Sequence, residues 1–166
     1  RAPMAAGVIG EIWFHGPSVA AGYWNNERAT QETFVERDGL RWLRTGDLGF
    51  VCEQGNLYVT GRMKDLIIVR GHNLYPQDIE RIIEEEVDAV RKSRVAVFAT
   101  HGVEGEGIGV SAEVSRNIQK LVSPAQLVEA MSAAVSEVVG QPLSVVVLLN
   151  PGGLPKTTSG KLQRSA

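Results

Sequence analysis

Three side chains in this 166-residue sequence stand where chemistry is possible. Asp47 ends the tetrapeptide Arg44-Thr45-Gly46-Asp47, between a glycine turn and an apolar run. A carboxylate there can accept two hydrogen bonds from a vicinal diol such as ribose, whereas an isolated Thr-Gly-Asp is more often a turn aspartate that bonds its own backbone. Arg62 follows fifteen positions later, beside Gly61. Its planar guanidinium can grip ribose or phosphate oxygens as a fork, although a lone arginine of this kind is usually solvated. Lys161 closes Pro155-Lys156-Thr157-Thr158-Ser159-Gly160-Lys161, where two lysines and three hydroxyls surround a glycine. So many turn formers predict a loop without regular structure, leaving a long cation free to swing into a cleft. An ammonium there can offset charge gathering on phosphoryl oxygens, and its bland alternative is a frayed basic tail.

The elements that must position these groups meet in Gly61 to Glu80, GRMKDLIIVRGHNLYPQDIE. Arg62, Lys64 and Asp65 precede Leu66 to Val69, whose unbroken apolar run predicts a strand buried on both faces. A loop at Gly71 follows. Pro76 presets a first helical turn, and Ile79, Ile82, Ile83 and Val87 recur at helical spacing to make one apolar face.

Upstream, Val8 to Phe14 predicts a strand, Asn26 to Phe34 a short helix, and Leu40 to Arg44, Leu48 to Cys52 and Asn56 to Thr60 a set of short antiparallel strands. These roughly sixty residues would bury a poor core alone. Downstream come strands at Arg94 to Ala99 and Ile108 to Val114, a helix at Pro124 to Val139 and a strand at Leu143 to Leu149. In that helix Ser123 and Gln126 form a capping box, Leu127, Met131, Ala134, Val135 and Val138 form the buried stripe, and Gly140 with Pro142 ends it. The order is that of an α+β sandwich.

Composition is that of an ordinary globular chain: 43% hydrophobic, 22% charged, net charge −2. No basic excess points to nucleic acid, and no stretch is long and apolar enough to span a membrane. The single Cys52 excludes a disulfide within the chain and fits a reducing compartment, with a small buried side chain in a strand as its expected state. His15, His72 and His101 lack metal-ligand spacing. GVEGEGIG at Gly102 to Gly109 reads as a hairpin loop, since Glu104 and Glu106 would repel phosphate. Arg91, Lys92 and Arg94 form a basic cluster whose ordinary state is solvated surface, and which would also suit an acidic carrier protein. The first residue, Arg1, suggests a fragment.

Four motifs in order, GEIWFHGPSVAAGYWNN, RTGD, GRMKDLIIVRGHNLYPQDIE and LPKTTSGK, resemble the adenylate-forming enzymes: acyl-CoA ligases, nonribosomal-peptide adenylation domains and luciferases. The wording of IIVRGHNLYPQDIE is most similar to that of the fatty-acyl-AMP ligases. Acyl-CoA ligases more often carry a lysine where Ile68 stands; against the pattern, His72 stands where fatty-acyl-AMP ligases often have arginine.

The resemblance implies an α+β fold: residues 1–63 as the last, barrel-like piece of a large adenylation domain, and 64–166 as a small mobile carboxyl-terminal domain. It makes Asp47 the ribose ligand, Arg62 a nucleotide contact, Lys161 the catalytic lysine and Lys64 the hinge. The loop Gly71, His72 and Asn73 would face the phosphopantetheine acceptor. It further implies Mg2+ and ATP in the parent, a fatty acid as substrate, an acyl carrier protein as acceptor, and a cytoplasmic setting. Alternatives are transfer to CoA by a long-chain acyl-CoA ligase, a nonribosomal-peptide adenylation domain, or a non-catalytic module that docks carrier proteins. The Ser/Thr/Gly-rich phosphate loop of such enzymes is missing from this stretch, so the fragment alone is expected to be inactive.

Overall fold

The computed structural model of the chain describes residues 3–102 and 105–164, which fall into two compact units, Arg1–Lys64 and Asp65–Ala166. In the first unit a long strand organises everything. β1 (Gly10–His15) and a short hairpin strand β2 (Phe34–Arg37) both pair antiparallel with β3 (Leu40–Val51), as does β4 (Leu57–Arg62). Helix α1 (Glu27–Thr33) lies between β1 and β2 in sequence, its first turn capped by the Asn26 side chain accepting from the Ala29 amide.

Two expectations change here. β2 takes Phe34 from the expected helix, because Asp38-Gly39 makes a two-residue turn with Arg37 opposite Leu40, the dipeptide that such hairpins favour. The two strands expected at Leu40 to Arg44 and Leu48 to Cys52 are one strand, interrupted by a bulge rather than a loop. Cys52 lies just past its end and is half-buried. Among the described residues the core hydrophobic of this unit is Leu48, so a poor core is what the sheet has.

The second unit has its own interior. β5 (Ile67–Val69) and β6 (His72–Leu74) form a hairpin across Arg70-Gly71, where the sequence suggested only a loop. Both turn residues have positive φ, 50° and 80°, which matches the right-handed twist of the paired strands. Ile67 and Val69 are buried, but Ile68 is 45% exposed, so the expected burial on both faces is wrong: a two-stranded ribbon covered on one face alternates.

Helix α2 (Pro76–Glu86) packs beside a three-stranded sheet of β7 (Val90–Gly102), β8 (Gly105–Val114) and β9 (Val145–Leu149). β7 and β8 are antiparallel out to Gly102 and Gly105, so most of the expected hairpin loop is strand; Val103 and Glu104 lie outside the described residues. β9 runs parallel to β8, and a parallel neighbour requires a crossover. Helix α3 (Pro124–Val139) supplies it, with the Ser123–Gln126 capping box at its start and Gly140 left-handed at its end.

Ile79, Ile83 and Val87 meet Leu127, Met131 and Val135 over Val95, Val97, Ile108, Val110 and Ala112. Val138 is 65% exposed rather than part of the stripe; Val139 packs on the core instead, because it continues the i+4 row of Leu127, Met131 and Val135. The unit is an α+β layer pair with one core.

Candidate functional site

Asp47 and Arg62, far apart in sequence, are direct neighbours on paired strands. The cause is local and begins at Arg44. Its Nε and Nη2 both donate to Glu11 Oε2, at 3.2 and 3.1 Å, and the same oxygen accepts from Trp13 Nε1 at 2.9 Å. The guanidinium also lies 5.7 Å from the Trp13 ring centre. β3 is therefore pinned to β1 before the turn.

Thr45 then donates its hydroxyl to Ile12 O at 2.8 Å and accepts the Asp47 amide at 3.0 Å. Pairing with β1 jumps here, from Trp13 opposite Arg44 to Glu11 opposite Leu48. The extra residues of the bulge need a left-handed backbone at Gly46, whose φ is 73°, and a side chain there would be strained. A bulge re-aims the next side chain, which is Asp47. Its Oδ1 accepts Arg62 Nε at 3.0 Å, with the carboxylate partly buried and the guanidinium mostly in solvent. A half-covered carboxylate, one of whose oxygens meets a fork donor, suits a vicinal diol next to an anion.

Lys161 and the Gly71 turn belong to the second unit. Pro155 to Gln163 is not the irregular loop expected from its composition. It is a narrow hairpin: Lys156 bridges Leu162, Gln163 N donates to Pro155 O at 3.1 Å, and Thr157 N donates to Lys161 O at 2.8 Å. The Thr157 hydroxyl accepts the Lys161 amide at 3.1 Å and Gly160, at φ 80°, closes the turn. The backbone of Lys161 is thus held on both sides while its side chain is exposed, and among the described residues its ammonium has no partner. Lys156 Nζ donates to Ser93 O at 3.3 Å.

Lys64 is exposed in a short 3-10 turn, Met63–Asp65, and Gly71, His72 and Asn73 are exposed at the β5–β6 turn. The described residues hold no group of three or more His, Cys, Asp or Glu that could bind a metal, and no helix long and apolar enough to cross a membrane.

No protein-family model matches the chain. The medium-chain-fatty-acid–acyl-carrier-protein ligase JamA of Moorena producens is 43% identical over 162 residues, covering 95% of this chain and 27% of that one. A putative fatty-acid–CoA ligase, fadD21 of Mycobacterium leprae, is 40% identical over 176 residues, covering 96% and 29%. Among solved structures, McyG A-PCP complexed with phenylalanyl-adenylate matches with a TM-score of 0.82 and 31% identity over 99% of this chain and 28% of that one. The chain is homologous to one stretch of the adenylate-forming enzymes. It spans 27% to 29% of the length of these two curated relatives.

Two carboxylates escaped the sequence reading. Glu113 is 0% exposed, inside β8. Its Oε1 accepts the Leu154 amide at 3.1 Å, and Arg91 and Arg94 approach at 3.4 and 3.7 Å, so most of the basic cluster faces a buried acid. Burial raises the Glu113 carboxyl, but the amides of Gly152 and Leu154 and the two arginines outweigh it and hold the group below its ordinary value. Glu80, buried on α2, accepts the Val97 amide at 3.0 Å and a two-pronged contact from Arg164. A signal existed for both: an acid inside an apolar strand, or on the apolar side of a helix, must find partners.

Proposed function

We propose that this chain is the part of a fatty-acid-adenylating ligase that carries the ribose carboxylate, the joint and the adenylation lysine. The observation that carries the reading is the bulge at Gly46, which sets the partly exposed Asp47 carboxylate against Arg62.

The parent enzyme first joins a fatty acid to ATP. A carboxylate oxygen bonds to the α-phosphorus, the bond to pyrophosphate breaks, and acyl-AMP remains. Asp47 accepts from the ribose hydroxyls and Arg62 lies alongside to meet ribose or phosphate oxygens. Lys161 stands between the two anions, where a fixed cation lowers the cost of bringing them together.

In the second step a phosphopantetheine sulfur attacks the acyl carbonyl carbon and AMP leaves. The exposed turn Gly71, His72 and Asn73 faces the incoming arm after the small domain, residues 64–166, has turned about Lys64 against the piece formed by 1–63. A carrier protein as acceptor is supported by the name of JamA and by the wording of the Gly71 segment; the name of fadD21 supports CoA as the second reading. Magnesium would accompany the triphosphate, and the described residues offer no acidic cluster to hold it.

The test is ATP–pyrophosphate exchange by the full-length enzyme that contains this chain, with fatty acid present. Lys161→Ala is expected to lower exchange roughly a hundredfold while transfer from supplied acyl-AMP to carrier stays near the wild-type rate. A wild-type protein that binds carrier but never exchanges pyrophosphate would be a docking module, and the reading would fail.

A further inference from the structure

The hairpin that carries Lys161 is fastened at both ends by buried carboxylates. At its entry Leu154 N is held by Glu113, and Lys156 reaches Ser93 O. At its exit stands Arg164, three residues past Lys161 and only 22% exposed. Its Nε donates to Glu80 Oε1 at 2.9 Å and its Nη2 to Glu80 Oε2 at 2.7 Å, a parallel fork on one carboxylate. Its Nη1 donates to Asp65 Oδ2 at 3.3 Å.

Glu80 is itself immobilised, since Oε1 also takes the Val97 amide from β7 and the side chain is buried on α2. Between Lys161 and Arg164 there is no slack: Leu162 bridges Lys156 and Gln163 bonds Pro155. Moving the Arg164 head group therefore moves the arm on which Lys161 sits. Without it, the hydrogen bonds described for the returning arm run within its own hairpin, which can then pivot about its entry.

We propose that Arg164 is a positioning residue for adenylation: through Glu80 and Asp65 it seats the Lys161 hairpin on the small unit, so that the lysine arrives at the reacting phosphate already aimed. The proposal rests on the role of Lys161 given above. A lysine at 164 keeps the charge but cannot make the parallel fork, so it will not substitute fully. Misplacing a catalytic group by about 1 Å costs up to roughly a hundredfold in rate.

The experiment uses the full-length enzyme with Arg164→Ala, Arg164→Lys, Lys161→Ala and the double variant Arg164→Ala/Lys161→Ala, each assayed for both half-reactions. Arg164→Ala is expected to lower adenylation kcat roughly ten- to a hundredfold with KM for ATP little changed. Arg164→Lys should fall between it and the wild type. Transfer from supplied acyl-AMP should stay within about twofold in both, which also reports that the unit is folded.

Because Arg164 acts through Lys161, the double variant should be no slower in adenylation than Lys161→Ala alone. A double variant slower by the full single-variant factor, or an Arg164→Ala enzyme with normal adenylation, overturns the positioning role and leaves that of Lys161 standing. Lys161→Ala with normal adenylation overturns both. Equal loss of the two half-reactions in Arg164→Lys would mean that the fork only supports the fold.

Discussion

Glu113→Gln is the sharpest probe of how the Lys161 hairpin is anchored, because it keeps the shape and one acceptor oxygen while removing the charge and turning the other oxygen into a donor. The carboxylate accepts backbone amides from Leu154, at 3.1 Å, and Gly152. A hydrogen bond to a charged group contributes about 1.5–3 kcal/mol and a neutral one about 0.5–1.5, so neutralising the acceptor costs about 1 kcal/mol at each amide. Arg91 and Arg94 add less than their distances suggest, since their side chains are 42% and 31% exposed and water takes over when the acid is lost. The expected total is about 2–3 kcal/mol.

The pH dependence has a definite sign. The folded carboxyl titrates below its ordinary value of 4.5, so its contribution is complete above that pH and is lost as pH falls through the lower, folded value. Urea unfolding of the chain, followed by far-UV circular dichroism, should show a lower midpoint at unchanged slope for the variant at pH 7. The gap should hold down to about pH 5 and close in stronger acid. A gap under about 0.5 kcal/mol at neutral pH, or one that widens on acidification, would refute the reasoning.

Two further outcomes are expected of the full-length enzyme. Lys64→Pro, in the Met63–Asp65 turn, fixes φ where the joint must change it, and should spare acyl-AMP formation while slowing transfer to carrier; equal loss of both steps would make position 64 merely structural. Asp47→Asn trades a charged acceptor for a neutral one and should raise KM for ATP roughly tenfold with little change in KM for fatty acid, as measured by pyrophosphate exchange.

Much of this arrangement is legible along the chain because its causes are local. Pro76 opens α2, Ser123 and Gln126 cap α3, and the spacing of Ile79, Ile83, Leu127 and Met131 declares which faces are buried, since each signal lies within one or two helical turns. Asp38-Gly39 was equally local, but the helical reading of Asn26 to Phe34 obscured the strand before it.

What tertiary structure alone decided are contacts between residues far apart in sequence. Asp47 faces Arg62 only because Arg44 and Thr45 tie β3 to Glu11 and Ile12 on another strand and force a bulge. The Lys161 segment has the composition of a flexible loop, yet Glu113, Glu80 and Asp65, which lie 41, 84 and 99 positions from their partners, make it a fastened hairpin. Periodicity reports which face of an element is apolar, and it carries no information about which distant charge will be buried against it.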